Sequence, residues 1–175
     1  MTNDERSWYI VGFADGEGSF NCSWRQRDDY LIGWKMAPVF NISQKEKTIL
    51  AKIKDHLHCG TIRFRKDGVW VYEVDNQKAL SDTIIPFFKK HPFLSDKKKR
   101  DFKRFQDMVK IIYQGNKSKT YQDITLLLQL VADVEAKHAR KYTDKEILDR
   151  AADFWEKNKG KIEIKNQTKA EQSFY

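Results

Sequence analysis

Cysteine is nearly absent: Cys22 and Cys59 are the only two in 175 residues, too few for a disulfide framework. No basic segment followed by an apolar one stands at the N-terminus, so secretion is not indicated and an intracellular, reducing compartment is expected. Long apolar runs are missing as well; stretches such as Tyr9 to Ala14 fall far short of the roughly 20 residues that cross a bilayer. A membrane partner is not expected. Acid is scarce relative to base: 25 Asp and Glu face 33 Lys and Arg, a formal charge of +8, which favours a polyanionic partner, nucleic acid ahead of an anionic membrane surface. What is present suffices for a core, since 40% of the residues are hydrophobic and 13% aromatic, and the length suits one domain.

The stretch Trp8 to Phe20, WYIVGFADGEGSF, sets the first problem. It reads as a helix that Asn3 or Asp4 can cap, with Glu5 in its first turn, running to about Gly16. Its end carries Asp15 and Glu17, where the unpaired carbonyls of a helix C-terminus favour cations. A positive group should lie nearby. Residues 8–14 are apolar nearly all round, which predicts burial from more than one side.

After Gly18 the period changes to two. Phe20, Cys22 and Trp24 alternate with Asn21, Ser23, Arg25 and Arg27, and a second strand from about Gly33 to Ser43 alternates Trp34, Met36, Phe40 and Ile42 with Lys35, Ala37, Val39 and Asn41. Pro38 suggests a bulge or an edge position. SQKEKTILAKIKDHLHCG then reads as a helix ended by Gly60, and a strand pair follows with its turn at Lys66-Asp67-Gly68. A third helix, about Gln77 to Lys89, is limited near its end by Pro86. Residues 95–157 read as helices: Ser95 to Tyr113, DITLLLQLVADVEAKHA, and Thr143 to Glu156. The expected class is α+β, an αββαββα core with a four-stranded antiparallel sheet over about 1–113, C-terminal helices over 114–157 and a polar, loose tail over 158–175.

The strands together present two kinds of face. Phe20, Trp24, Trp34, Phe40, Phe64, Trp70 and Tyr72 form an apolar one that helices can cover. Asn21, Ser23, Arg25, Arg27, Lys35, Asn41, Thr61, Arg63, Arg65, Glu73 and Asp75 form the other, which is expected to be open. Its side chains suit double-stranded DNA: Arg and Lys pair with guanine, Asn with adenine, acids with the cytosine amino group. Tyr30 joins this set from the first hairpin loop. Lys97, Lys98, Lys99 and Arg100 are four consecutive cations suited to phosphates. A solvated surface explains any one of these residues; it explains the whole set poorly.

Gly12 and Gly16 share a helical stripe on which another backbone can come close. With one copy of the motif per chain, the natural partner is the same helix of a second chain, through Trp8, Val11, Gly12, Asp15 and Gly16. A twofold axis there sets two Glu17 carboxylates side by side, and Mg2+ with phosphate oxygens and water answers their repulsion. His56, His58 and Cys59 lack a fourth ligand at zinc spacing and are expected to be helix-end residues.

IVGFADGEG, Ile10 to Gly18, resembles the nine-residue motif of the LAGLIDADG homing endonucleases, with Gly12, Asp15, Glu17 and Gly18 at its most characteristic positions. The resemblance covers about the first hundred residues, through the element order and the basic sheet face. It implies a homodimeric enzyme of the single-motif type that binds DNA through its sheet. Such an enzyme cuts both strands of a long pseudo-palindromic site and leaves short 3′ overhangs. It further implies Mg2+, with Mn2+ as a substitute, held by Glu17 with backbone contacts at Gly16 and Gly18. Gln44 resembles a glutamine near the attacking water, and Lys97 a lysine near the scissile phosphate. A basic residue expected four positions after Gln44 is Thr48 here, with Lys45 and Lys47 close by. An organelle is implied if the host intron is organellar. The alternative is an RNA maturase or a non-cleaving DNA-binding protein on the same scaffold; the acid at position 17 speaks for the nuclease, because a pure binder gains nothing from a repulsive carboxylate pair.

Overall fold

The computed structural model describes residues 1–30, 32–113, 121–132 and 142–172. Its elements run α1 (Asn3–Glu17), β1 (Gly18–Gln26), β2 (Trp34–Gln44), α2 (Lys47–Leu57), β3 (Thr61–Phe64), β4 (Trp70–Val74), α3 (Gln77–Ala79), a π-helical stretch (Leu80–Ile84), α4 (Ile85–Lys90), α5 (Asp96–Tyr113), α6 (Tyr121–Ala132) and α7 (Asp144–Gln172). This is the expected α+β order, with one four-stranded sheet in the order β1-β2-β4-β3. Contacts divide the chain into two units, residues 1–23 with 37–113 and residues 24–36 with 114–175.

In the first unit α1 begins one residue earlier than expected, because Thr2 rather than Asn3 or Asp4 is the cap. Thr2 Oγ1 accepts the Glu5 N–H at 3.2 Å and Glu5 returns the bond to the Thr2 N–H at 2.8 Å, a capping box that satisfies two amides at once. Ser7, Ile10, Val11 and Ala14 turn inward at helical spacing. Phe20, Phe40, Phe88, Phe93, Phe102 and Phe105 form the centre of the core, with Phe20 rings 5.1 Å from Phe40 and 5.0 Å from Phe105. Each buried phenyl contributes about 1.5–3 kcal/mol of transfer free energy.

Register places Phe40 against Val74 and the row Ile42, Tyr72, Ile62 on the helix-covered face. The next row on that face, Gln44, Trp70 and Phe64, lies at the strand ends, and there the expectation of a core phenyl fails: Phe64 is 58% exposed. Trp70 is half-covered, with the Lys47 ammonium 4.7 Å from its ring centre. Val71, which alternation sets on the side of Glu73 rather than of Tyr72, keeps that orientation between Ser43 and Arg63 and is buried there. Pro38 precedes the stretch Phe40 to Gln44 that pairs with β4, so its missing N–H interrupts no bond to that strand. α2 stops at His58, which takes the left-handed conformation expected of Gly60. Gly60 is still required, because a Cβ there would meet Tyr72 at 2.6 Å. Pro86 sits in the first turn of α4, and the irregularity it enforces is the π-helical stretch just before it.

In the second unit Trp34 is fully buried, donating from Nε1 to the Ile147 carbonyl at 3.0 Å and meeting the Tyr142 ring edge-on. A second capping box, Thr143 with Glu146, starts α7. Ile124, Leu127 and Leu128 of α6 and Ile147 and Ala151 of α7 are buried. The helix expected to reach Ala139 lies outside the described residues beyond Ala132. α7 runs on to Gln172, past the end expected at Glu156, through a stretch 157–172 that holds five lysines and no proline to interrupt a helix. Among the described residues, no helix is long and apolar enough to cross a membrane.

Candidate functional site

The positive groups that the end of α1 calls for come from the start of α5. Ser95 precedes α5 and accepts the Lys98 N–H on its Oγ at 3.2 Å, as an N-cap does. The Asp15 carboxylate accepts the Ser95 backbone N–H at 3.0 Å and the Ser95 hydroxyl at short range. One acid is thus moved from the unfavourable end of α1 to the favourable, partly positive start of α5. Burial acts to raise the Asp15 pKa, but the hydrogen bonds from Ser95, the Leu94 amide and the Lys98 charge prevail and hold it below the ordinary carboxylate range.

Lys98 closes the arrangement. Its ammonium donates to the Gly18 carbonyl, at short range, just past the end of α1. Lys98 is half-buried, and that burial lowers its pKa; Asp101, Asp15 and Glu17 resist the shift, and Lys97 adds to it. Glu17 is exposed. No other described residue forms a hydrogen bond or ion pair with its carboxylate, although Lys98 feels its charge. The hairpin of β1 and β2, closed where the Arg27 N–H meets the Gly33 carbonyl, brings the start of β1 and the end of β2 to one end of the sheet. Gln44 therefore stands at the same end as Glu17. Its Oε1 accepts the Lys45 N–H at 2.9 Å, which leaves its amide nitrogen as a donor.

Along the outer side of α1, Trp8 and Tyr9 are 46% and 49% exposed, and a Cβ on Gly12 or Gly16 would meet nothing within 4 Å. Val11, expected at a helix-to-helix contact, is instead packed inside its own unit at 3% exposure; Tyr9 takes the outward position. The physical reason is rotation: Val11 lies on the stripe of Ser7, Ile10 and Ala14, whereas Tyr9, Gly12 and Gly16 lie on the opposite one.

On the open sheet face of the first unit, Asn41, Glu73 and Thr61 form one row and Ser43, Val71 and Arg63 the next. Arg63 donates to Glu73 at 3.2 Å, and Arg65 pairs at short range with Asp67 in the following turn. Asn21 donates to Ser19 Oγ at 2.9 Å, Ser23 reaches the Ala37 carbonyl at 3.4 Å, and Asp75 is exposed. In the second unit Arg25 is exposed and Lys35 half-buried. Arg27 holds Asp29 with two bonds of 2.7 Å and lies 5.7 Å from the Tyr30 ring centre. The bond from Arg27 pulls the Asp29 pKa down. Lys97 and Arg100 are exposed, and Lys99 pairs with Asp96 at 3.3 Å.

A hard cation takes six or more oxygen ligands. One chain offers the Glu17 carboxylate and nearby backbone carbonyls, and among the described residues no group of three His, Cys, Asp or Glu could hold an ion. The site therefore fits a divalent metal only as a half-site, completed by oxygens from outside the chain.

Residues 10–109 match the family model described as LAGLIDADG endonuclease. The chain belongs to the LAGLIDADG endonuclease family. Among relatives, the homing endonuclease I-ApeII of Aeropyrum pernix is 28% identical over 146 residues, 80% of this chain and 86% of that protein. Among solved structures, the archaeal intron-encoded homing endonuclease I-Vdi141I complexed with DNA superposes with a TM-score of 0.75 at 30% identity, covering 87% of this chain and 98% of that one. I-SmaMI, bound to uncleaved DNA in the presence of calcium ions, shares the fold with a TM-score of 0.68 at 23% identity; this chain spans 46% of its length and covers 76% of itself.

Within this LAGLIDADG chain, the structure brings Glu17, Gly18, Asp15 and Lys98 together and leaves Lys97 turned to solvent. The Gly18 carbonyl, expected to face a metal, receives the Lys98 ammonium. Sequence reasoning missed Ser95 and Tyr9. Ser95 was legible as a helix cap before an apolar-periodic run, but its grip on Asp15 was not.

Proposed function

We propose that this chain is a site-specific double-strand DNA endonuclease that works as a homodimer on a long pseudo-palindromic site and leaves short 3′ overhangs. The observation that carries this reading is the exposed Glu17 carboxylate at the end of α1, beside a half-buried ammonium, next to an open glycine stripe. A second copy of α1 laid along Gly12 and Gly16 sets the two Glu17 carboxylates at one axis and supplies the missing half of the cation site. Residues 1–157 form one endonuclease domain in this proposal.

Glu17 and its mate would hold the Mg2+, with Mn2+ as a substitute. When bound, the metal lowers the pKa of water and stabilises the charge on the leaving oxygen. Gln44 orients water through its free amide nitrogen. Lys98, rather than Lys97, takes the role of the lysine near the scissile phosphate, because its ammonium already reaches Gly18. Lys97, Lys99 and Arg100 bind phosphates without reading sequence. Arg25, Arg27, Tyr30, Lys35, Asn21, Ser23, Asn41, Arg63, Arg65, Glu73 and Asp75 face the DNA. An intracellular place, within an organelle if the host intron is organellar, accords with relatives described as intron-encoded.

Incubation with Mg2+ and a randomised duplex library tests the enzyme: the wild type cuts a subset with 3′ overhangs, and Glu17→Gln cuts none. Undiminished cutting by that variant overturns the role of Glu17. Binding by both proteins with cutting by neither favours the maturase or regulator alternative. Sedimentation of the complex showing one chain per duplex removes the shared site.

A further inference from the structure

Three arginines on the two hairpins share a feature that a simple phosphate-binding surface has no use for. Each is already joined to a carboxylate. Arg27 grips Asp29 through Nε and Nη2, Arg65 pairs with Asp67, and Arg63 pairs with Glu73. In all three the arginine side chain is about half exposed or more, so these are not buried structural bridges. Both hairpin turns repeat the spacing, Arg27-Asp28-Asp29 and Arg65-Lys66-Asp67, with the acid two residues beyond the arginine. By contrast Arg25, Lys97 and Arg100 form no ion pair among the described residues.

An arginine pinned to an acid behaves differently toward the two parts of a duplex. Toward phosphate the pair is nearly neutral, since the carboxylate repels what the guanidinium attracts; little counterion is released, whereas an unpaired cation releases about one. Toward a guanine edge the requirement is geometric: two N–H donors must lie in the plane of O6 and N7. A guanidinium has five N–H donors, so Arg27 keeps three after its two-bond grip on Asp29. The grip also removes rotamer freedom before binding, which an arginine on a free stem loses only on contact.

We infer that Asp29, Asp67 and Glu73 are positioning residues for specificity, which aim Arg27, Arg65 and Arg63 at guanine edges and keep them off the phosphates. The ligand class is duplex DNA with guanines opposite these arginines. Affinity that depends on salt comes from the unpaired cations, and discrimination comes from the paired ones. This inference rests on the DNA reading proposed above.

The test uses the full chain in EDTA, so that nothing is cleaved. A duplex enriched by the wild type from a randomised library is compared with a scrambled duplex of equal length, across a series of KCl concentrations, for the wild type and for Asp29→Asn, Asp67→Asn and Glu73→Gln. Each variant is expected to bind the scrambled duplex more tightly and to steepen the salt dependence by about one released counterion. The ratio of enriched to scrambled affinity should fall by roughly tenfold, the size of one bidentate guanine contact. An acid that only neutralises its arginine would move the slope and leave the ratio unchanged. If affinity rises equally on both duplexes, or does not change, the positioning role is overturned. If the wild type enriches no duplex at all, the DNA reading itself fails and takes this inference with it.

Discussion

The loop between β1 and β2 and the loop between β3 and β4 carry the same Arg-x-Asp spacing, yet they keep their shapes by different means. Residues 65–69 close on themselves: the Arg65 N–H bonds the Val69 carbonyl at 2.8 Å, the Gly68 N–H bonds the Arg65 carbonyl at 3.1 Å, and Gly68 takes φ 82 with open space around it. Arg27, Tyr30 and Gly33 have comparable bonds among themselves, but their loop is also gripped from α7. Arg150 donates to the Gly33 carbonyl at 3.1 Å, pairs with Asp28 and covers the Phe154 ring at 4.5 Å. Gly33, at φ 68, is packed so closely that a Cβ would meet Phe154 at 2.8 Å. A short turn can be specified by its own residues; the longer loop is set by a helix more than a hundred positions away.

Substitution of the two left-handed glycines should separate these cases most strongly. Gly33→Ala combines left-handed strain with overpacking against Phe154 and is expected to cost about 3 kcal/mol, read as a lower urea midpoint by intrinsic tryptophan fluorescence. If its cost equals that of Gly68→Ala, the α7 grip does not set the loop. Arg150→Ala should come next, at about 2 kcal/mol from bonds made by a charged donor. Amide hydrogen exchange should then accelerate in residues 27–33 and stay unchanged in 65–69; acceleration in both would erase the distinction. Gly68→Ala, which meets strain but no neighbour, is expected to cost about 1 kcal/mol by thermal melting.

The smallest effect concerns the charge pair inside the first loop. The Asp29 carboxyl should titrate below the ordinary range, and Arg27→Ala should return it upward, as carboxyl NMR shifts against pH would show. Because the folded pKa is depressed, any stabilisation from the pair is present above the unfolded value and fades as pH falls through the folded one. An unshifted Asp29 in the wild type would mean that the pair is loose in solution.

Much of the fold was legible because its causes are local. The change from a helical period to alternation at Gly18 marks β1, and Lys66-Asp67-Gly68 marks the turn between β3 and β4. Thr2 and Glu5 were equally readable as a capping box and outrank Asn3 and Asp4 as the start of α1. Local patterns misled at the margins of elements. Phe64 obeys the alternation but reaches past the helices that cover its neighbours, and α7 continues through a polar stretch that periodicity alone does not mark.

The family resemblance, the element order, the two sheet faces and the acid at position 17 were all readable from residue types at short spacing. Tertiary structure was needed to tell which of two adjacent lysines reaches the end of α1. Lys97 and Lys98 are alike in a sequence of cations, but successive helical residues point about 100° apart, and only Lys98 turns toward Gly18, 80 positions earlier. Likewise Val11 and Tyr9 are both apolar, and only the packing of α1 assigns one to the core and the other to the open side. Such choices depend on where a distant segment lies, and no local pattern encodes that.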